Sequence, residues 1–231
     1  MANVRHGGGV VEMRGSIGGT AFSRNAFGAY TRARVKPVNP ATLFQMNVRA
    51  NISAISKRWG STLTEGQRLA WSSAAKIFGV TNKLGEKTLG TGIQLYQQLN
   101  LPLLNAGFTY ADDPPATLDV PAVGGVVVTA TAGTPDTLTF NVTPVPPGGN
   151  IELYLSATPQ FTPGRSFVKN DYRFIGVSTD ITNPVDIATL WKARFDDTDF
   201  VAGMKVGIGV AYLNTDSGAL SPVVTQNVII T

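Results

Sequence analysis

The sequence predicts an α+β multidomain protein: an extended N-terminal arm with a β-hairpin, a small helical region of two to three helices, and a C-terminal all-β sandwich. Three observations carry this. Residues 1–41 are rich in glycine and basic side chains and show no helical period. Thr-x-x-Gln capping boxes open apolar, periodic stretches between residues 42 and 105. Beyond residue 121, short apolar runs alternate with turn residues. The boundaries read this way are an arm over 1–41, a helical anchoring region over 42–108, a linker over 109–120 and a sandwich over 121–231.

The arm holds Gly7, Gly8, Gly9, Gly15, Gly18, Gly19 and Gly28, with Arg5, Arg14, Arg24, Arg32, Arg34 and Lys36 against a single acid, Glu12. Turn chemistry at Arg24-Asn25-Ala26-Phe27-Gly28 separates residues 20–23 from residues 29–35. In the second flank Arg32 and Arg34 lie opposite Thr31, Ala33 and Val35, the alternation of a half-exposed strand. A hairpin this rich in glycine is marginal in isolation. It needs the rest of the chain or a neighbouring subunit against it.

Asn39-Pro40 breaks the arm, and Thr42 with Gln45 opens a helix over 42–60. Phe44, Val48, Ile52, Ile55 and Trp59 fall within about 80° of one face, which marks them as core. Gly60 fits the stop. Thr64 with Gln67 opens a second helix to about Phe78, its apolar face carrying Trp71, Ala74, Ala75 and Phe78. A polar loop over 79–90 follows. Thr91 with Gln94 opens a third helix through Ile93, Tyr96 and Leu99, which Pro102 should end or kink near Asn100.

Prolines and acids then mark the linker. Beyond it, apolar runs stand at 125–131, 137–143, 151–157, 172–178, 185–188, 204–213 and 223–230. Ile151, Leu153 and Leu155 alternate with Glu152, Tyr154 and Ser156; Met204, Val206, Ile208, Val210 and Tyr212 alternate with Lys205, Gly207, Gly209 and Ala211. Seven short strands over about 110 residues fit an immunoglobulin-like sandwich.

Charge is sorted along the chain: 13 Lys/Arg against 3 Asp/Glu in residues 1–105, then 6 against 12 in residues 106–231. That division points to assembly with other chains and away from an enzyme. Without cysteine there is no disulfide, thiolate metal site or Cys nucleophile, and the single histidine, His6, excludes a His-based metal cluster. No cofactor and no metal is expected. No apolar run approaches the roughly 18–20 residues of a membrane span, and the N-terminus lacks a secretion signal's apolar core. The chain is therefore expected to stay in a cytoplasm and off the membrane.

Few residues offer chemistry. His6 has no Asp or Ser at motif spacing, so a solvated histidine is the simpler account. Gly15-Ser16-Ile17-Gly18-Gly19-Thr20 lacks the Lys-Ser/Thr ending of a phosphate loop, and backbone flexibility or close packing between subunits explains it better. Asp196-Asp197-Thr198-Asp199 departs from the calcium-loop pattern and reads as solvated acid. The arm is different. Its arginines with Phe22, Phe27 and Tyr30 suit either a nucleic-acid backbone with stacked bases or an acidic protein surface. On the first helix Arg49, Lys57 and Arg58 scatter over the polar half without forming one stripe, which favours protein docking. The partner-binding candidates are Arg14, Phe22, Arg24, Phe27, Tyr30, Arg32, Arg34 and Lys36.

The N-terminal wording also carries a likeness. Gly15-Ser-Ile-Gly-Gly-Thr-Ala-Phe-Ser-Arg24, Arg34-Val-Lys-Pro-Val-Asn-Pro40-Ala-Thr42-Leu-Phe-Gln45, Arg49, Trp59, Leu63-Thr64, Gln67-Arg68 and Trp71 lie within residues 14–105. Together they resemble a family of bacteriophage and prophage virion structural proteins that join such a Gly-rich basic block to C-terminal immunoglobulin-like domains. Val210-Ala-Tyr212-Leu-Asn214 with Gly218 loosely resembles a fibronectin type III domain. The resemblance implies a non-enzymatic virion protein assembled in the bacterial host cytoplasm, a capsid decoration or minor capsid protein. Its basic half would anchor it and its acidic sandwich would project. Implied partners are the major capsid protein or other virion proteins, in a homo-oligomeric or multi-copy assembly. Two other readings stand beside it: a virion protein contacting packaged DNA, and a tail, baseplate or surface-adhesion module. The last would bind a glycan or receptor through Phe161, Phe167 and Tyr172 at one end of the sandwich.

Overall fold

The computed structural model describes residues 2–3, 7–25, 28–81, 87–88, 90–145, 149–165, 167–179, 182–195 and 198–231. The protein is α+β, with helices and antiparallel sheets in two compact units, Met1–Met46 and Asn47–Thr231.

In the first unit β1 (Ala2–Asn3), β2 (Gly15–Ile17), β3 (Thr20–Asn25) and β4 (Gly28–Ala33) form one sheet of order β1-β4-β3-β2. The expected hairpin is β3–β4, registered from Asn25 opposite Gly28 to Thr20 opposite Ala33. Gly18-Gly19 closes a second hairpin, β2–β3, with Ile17 opposite Thr20. Both glycines take positive φ, 56° and 83°, which two-residue hairpin turns require and side chains with a Cβ resist.

Helix α1 (Leu43–Ser61) begins at the end of the first unit and runs into the second. At its start Gln45 N donates to Thr42 Oγ1 at 3.4 Å. The capping box of α2 (Glu65–Phe78) is complete: Gln67 N donates to Thr64 Oγ1 at 3.3 Å, and Thr64 N donates to Gln67 Oε1 at 3.0 Å. A short pair, β5 (Val80–Thr81) and β6 (Lys87–Thr88), stands in the expected polar loop. In α3 (Gly92–Ala106) Thr91 N donates to Gln94 Oε1 at 2.9 Å. Pro102 does not end this helix, which runs on to a left-handed Gly107. A mid-helix proline costs about 3 kcal/mol, and burying Pro102 itself with Leu99 and Leu103, one turn apart, offsets that cost.

Ile55, Leu63, Trp71, Ala74, Ala75, Leu95, Tyr96 and Leu99 make the helical core, with Trp71 edge-on to Tyr96 at 5.2 Å. The expected α1 stripe is only half core. Ile55 is buried and Trp59 packs against the cluster, but Phe44, Val48 and Ile52 are 53%, 44% and 42% exposed. Periodicity identifies a helix's apolar face but says nothing of how far along it the neighbours reach. Here the covering begins only at Ile55.

Residues 109–120 contain no helix or strand, yet they are held tightly. Buried Asn100 accepts a hydrogen bond from Ala111 N (2.8 Å) and donates to the carbonyls of Ala111 (3.3 Å) and Tyr96 (3.0 Å). Trp71 Nε1 donates to Asp112 O at 2.8 Å, and Arg58 forks onto the Asp112 carboxylate while lying 4.6 Å over the Tyr110 ring. Leu118 and Val120 pack on the helical core. Replacing Asn100 with leucine is expected to cost about 2 kcal/mol, because it removes the partner of the half-buried Ala111 amide and carbonyl. Urea unfolding measures this, and an unchanged midpoint would refute it.

The remaining strands are β7 (Gly125–Thr131), β8 (Thr137–Thr143), β9 (Ile151–Ala157), β10 (Arg173–Ser178) and β11 (Val185–Asp186), followed by α4 (Ala188–Arg194), then β12 (Lys205–Asn214) and β13 (Val224–Ile229). They lie in the runs expected for them. Two antiparallel sheets, β11-β8-β7 and β10-β9-β12-β13, share one core. Alternation supplies it: Val126 and Val128, Leu138 and Phe140, Leu153 and Leu155, and Val206, Ile208, Val210 and Tyr212 all face inward. Helix α4 was not expected. Ile187 and Trp191, one turn apart, anchor it, and Trp191 Nε1 donates to Thr158 O at 2.9 Å.

Candidate interaction surface

Among the described residues from 7 to 54 none is buried; the first that is buried is Ile55. The N-terminal sheet is therefore ordered by its hydrogen-bond ladder and not by a core of its own. Its register decides which of the expected binding residues share a face. Phe22 opposes Thr31 and Arg24 opposes Ala29, so these project to one side. Ser23 opposes Tyr30 and Ala21 opposes Arg32, which places Tyr30 and Arg32 on the other. Phe22 and Tyr30 are half-buried; Arg14, Arg24, Arg32, Arg34 and Lys36 are exposed. Phe27 and His6 lie outside the described residues.

The sheet brings Arg14 and Arg24 together through an acid that sequence reasoning had only counted. Glu12 Oε1 accepts from Arg14 Nε and Nη2 at 3.1 and 3.0 Å, and Arg24 Nη1 lies 3.9 Å away. Both arginine side chains are more than half exposed, so these pairs contribute under about 1 kcal/mol. Their consequence is for charge. Six basic residues and one acid leave +5 up to Met46, against −1 for the rest of the chain. That one acid is engaged, and among the described residues no ion pair involves Arg32, Arg34 or Lys36. Apolar side chains are interleaved with these cations: Val35 is 74% exposed and Val38 89%.

Elsewhere the candidates thin out. Asp196 and Asp197 lie outside the described residues, and Asp199 pairs with Lys192 at 2.8 Å. Of the three aromatics considered for adhesion, Phe161 is buried, Tyr172 is half-buried and donates to Asn227 Oδ1, and Phe167 is exposed. Among the described residues no helix is long and apolar enough to cross a membrane. Compared with protein-family models, curated proteins and solved structures, the chain matches none.

Proposed function

We propose that this protein is a non-enzymatic virion structural protein, a capsid decoration or minor capsid protein present in many copies. In this reading residues 1–46 anchor it to the major capsid protein or another virion protein, and the C-terminal strands form an immunoglobulin-like sandwich that is displayed. The observation that carries it is an N-terminal sheet with no buried residue among the described ones from 7 onward, continuous with an exposed run that mixes cations and aliphatic side chains. A sheet of this kind gains its burial from another chain. Arms seated between subunits add contact area, and their charge steers docking onto acidic surfaces. Two antiparallel sheets, β11-β8-β7 and β10-β9-β12-β13, sharing one core support the sandwich. The virion setting is supported by the resemblance of residues 14–105.

Deleting residues 1–41 is expected to leave a folded, monomeric protein that is absent from purified particles, because those residues supply none of either core. Mass spectrometry of particles, read as the ratio of this chain to the shell protein, measures it. Incorporation of the truncated chain at the full ratio would remove the anchoring role.

A further inference from the structure

We propose that the extended segment from Arg32 to Val38 is a docking strand for another protein, one that presents carboxylates and aliphatic side chains in alternation along an exposed strand. This rests on the reading of residues 1–46 as an anchor and adds the chemistry of what they grip. Every residue from Arg32 to Ala50 is exposed. At the head of this run the chain is still extended: Arg34 N donates to Gly19 O at 2.7 Å, one residue past the end of β4. Arg32 and Arg34 therefore lie on one side about 6.6 Å apart, the spacing of alternate positions on a strand, and Lys36 takes the next alternate position in the sequence. A partner strand with acids at alternate positions meets all three. Ala33 and Val35 alternate with them in the sequence, and Pro37, lacking an N–H, leaves a single gap in the pairing before Val38.

The first unit has no carboxylate to spare for these cations, since Glu12 is held by Arg14 with Arg24 beside it. A second copy of the same segment brings only like charge. Nucleic acid satisfies the cations but not the rest: phosphates leave Val35 and Val38 in water, and Tyr30, the ring on the face of Arg32, is half-buried and less open to a stacking base. An anionic lipid surface takes up a broad amphipathic face with bulky apolar side chains, which a narrow strand with two valines does not offer.

The test uses the full-length chain and a labelled peptide alternating glutamate and valine, followed by fluorescence anisotropy. Competitors are a polyglutamate peptide of equal charge, duplex DNA and phosphatidylglycerol vesicles. The alternating peptide is expected to bind most tightly. Replacing Val35→Ser together with Val38→Ser is expected to weaken it about tenfold while leaving the polyglutamate affinity unchanged; these exposed sites carry no folding role. Tighter binding of DNA or vesicles, or no loss in the serine variant, overturns the proposal. Particle incorporation separates the two claims. If deleting residues 1–41 abolishes incorporation but the serine variant is incorporated normally, the docking chemistry is wrong and the anchor stands. If the deletion has no effect, the anchor itself falls.

Discussion

Replacing Gly218 with alanine is expected to lower the melting temperature by about 10 °C. Gly218 sits in the turn after β12 at φ 72°, its N–H donating to Asn214 O at 2.8 Å. A Cβ there would overlap the carbonyl of Leu99, and Leu103 Cδ1 would stand 3.2 Å away. The Leu99 carbonyl is helix backbone, so no rotamer relieves the overlap. The next residue, Ala219, is buried in the helical core. The turn is thus wedged against α3, and displacing it loosens the contact that holds helices and strands in one unit. Left-handed backbone costs an alanine about 1–2 kcal/mol, and overpacking adds about 1–3. At about 2–4 °C per kcal/mol for a chain of this size, the sum gives the stated shift. Gly203→Ala separates the two effects. Gly203 also has positive φ, 84°, but a Cβ there meets nothing within 4 Å. Thermal melts should show a markedly smaller loss for Gly203→Ala, and equal losses would mean that the wedge contributes nothing.

The wedge also illustrates which features were legible beforehand. Strand positions were, because alternation such as Ile151-Glu152-Leu153-Tyr154-Leu155 records a face that one core must cover, and that record is local. Helix starts were legible for the same reason: Thr64 and Gln67 satisfy each other's backbone groups within four residues. What failed was knowledge of how far neighbours extend. Phe44, Val48 and Ile52 lie on the right face of α1 but beyond its cover, and Pro102 is tolerated because of packing that the proline does not advertise. Asp112 and Tyr110 read as linker because their partners, Arg58 and Trp71, are 41 to 54 residues away in the chain. The interaction surface divides likewise. Its charge and exposed arm were visible in composition, whereas the split of Phe22 and Arg24 from Tyr30 and Arg32 follows from strand register. The capture of Glu12 by Arg14 is a matter of where two exposed side chains meet.

Of the charged groups, Asp136 should matter most. Its side chain is 2% exposed and takes hydrogen bonds from the backbone N–H of Gly133 (2.9 Å) and Phe200 (3.0 Å), with Lys192 Nζ at 2.9 Å. Lys192 also reaches Asp199, so one carboxylate ties the β7–β8 turn to α4 and to the segment before β12. Asp136→Ala leaves the buried Phe200 amide and the amide of exposed Gly133 without their acceptor and Lys192 without its buried partner, and the expected loss is about 3 kcal/mol. The exposed Arg14–Glu12 pair, by comparison, contributes under about 1 kcal/mol. Burial works to raise the Asp136 pKa, but the two amides and Lys192 outweigh it and hold the carboxyl below its ordinary value. The sign of the pH effect follows. A group depressed in the folded state binds its proton more readily when unfolded, so its contribution is complete above the unfolded pKa and disappears as pH falls through the folded one. Urea midpoints for wild type and Asp136→Asn should therefore differ by a constant amount above about pH 5, and the gap should close as the solution becomes more acidic. A gap that stays constant into strong acid would show that the aspartate acts through shape alone, and one that widens would mean the sign assigned here is wrong.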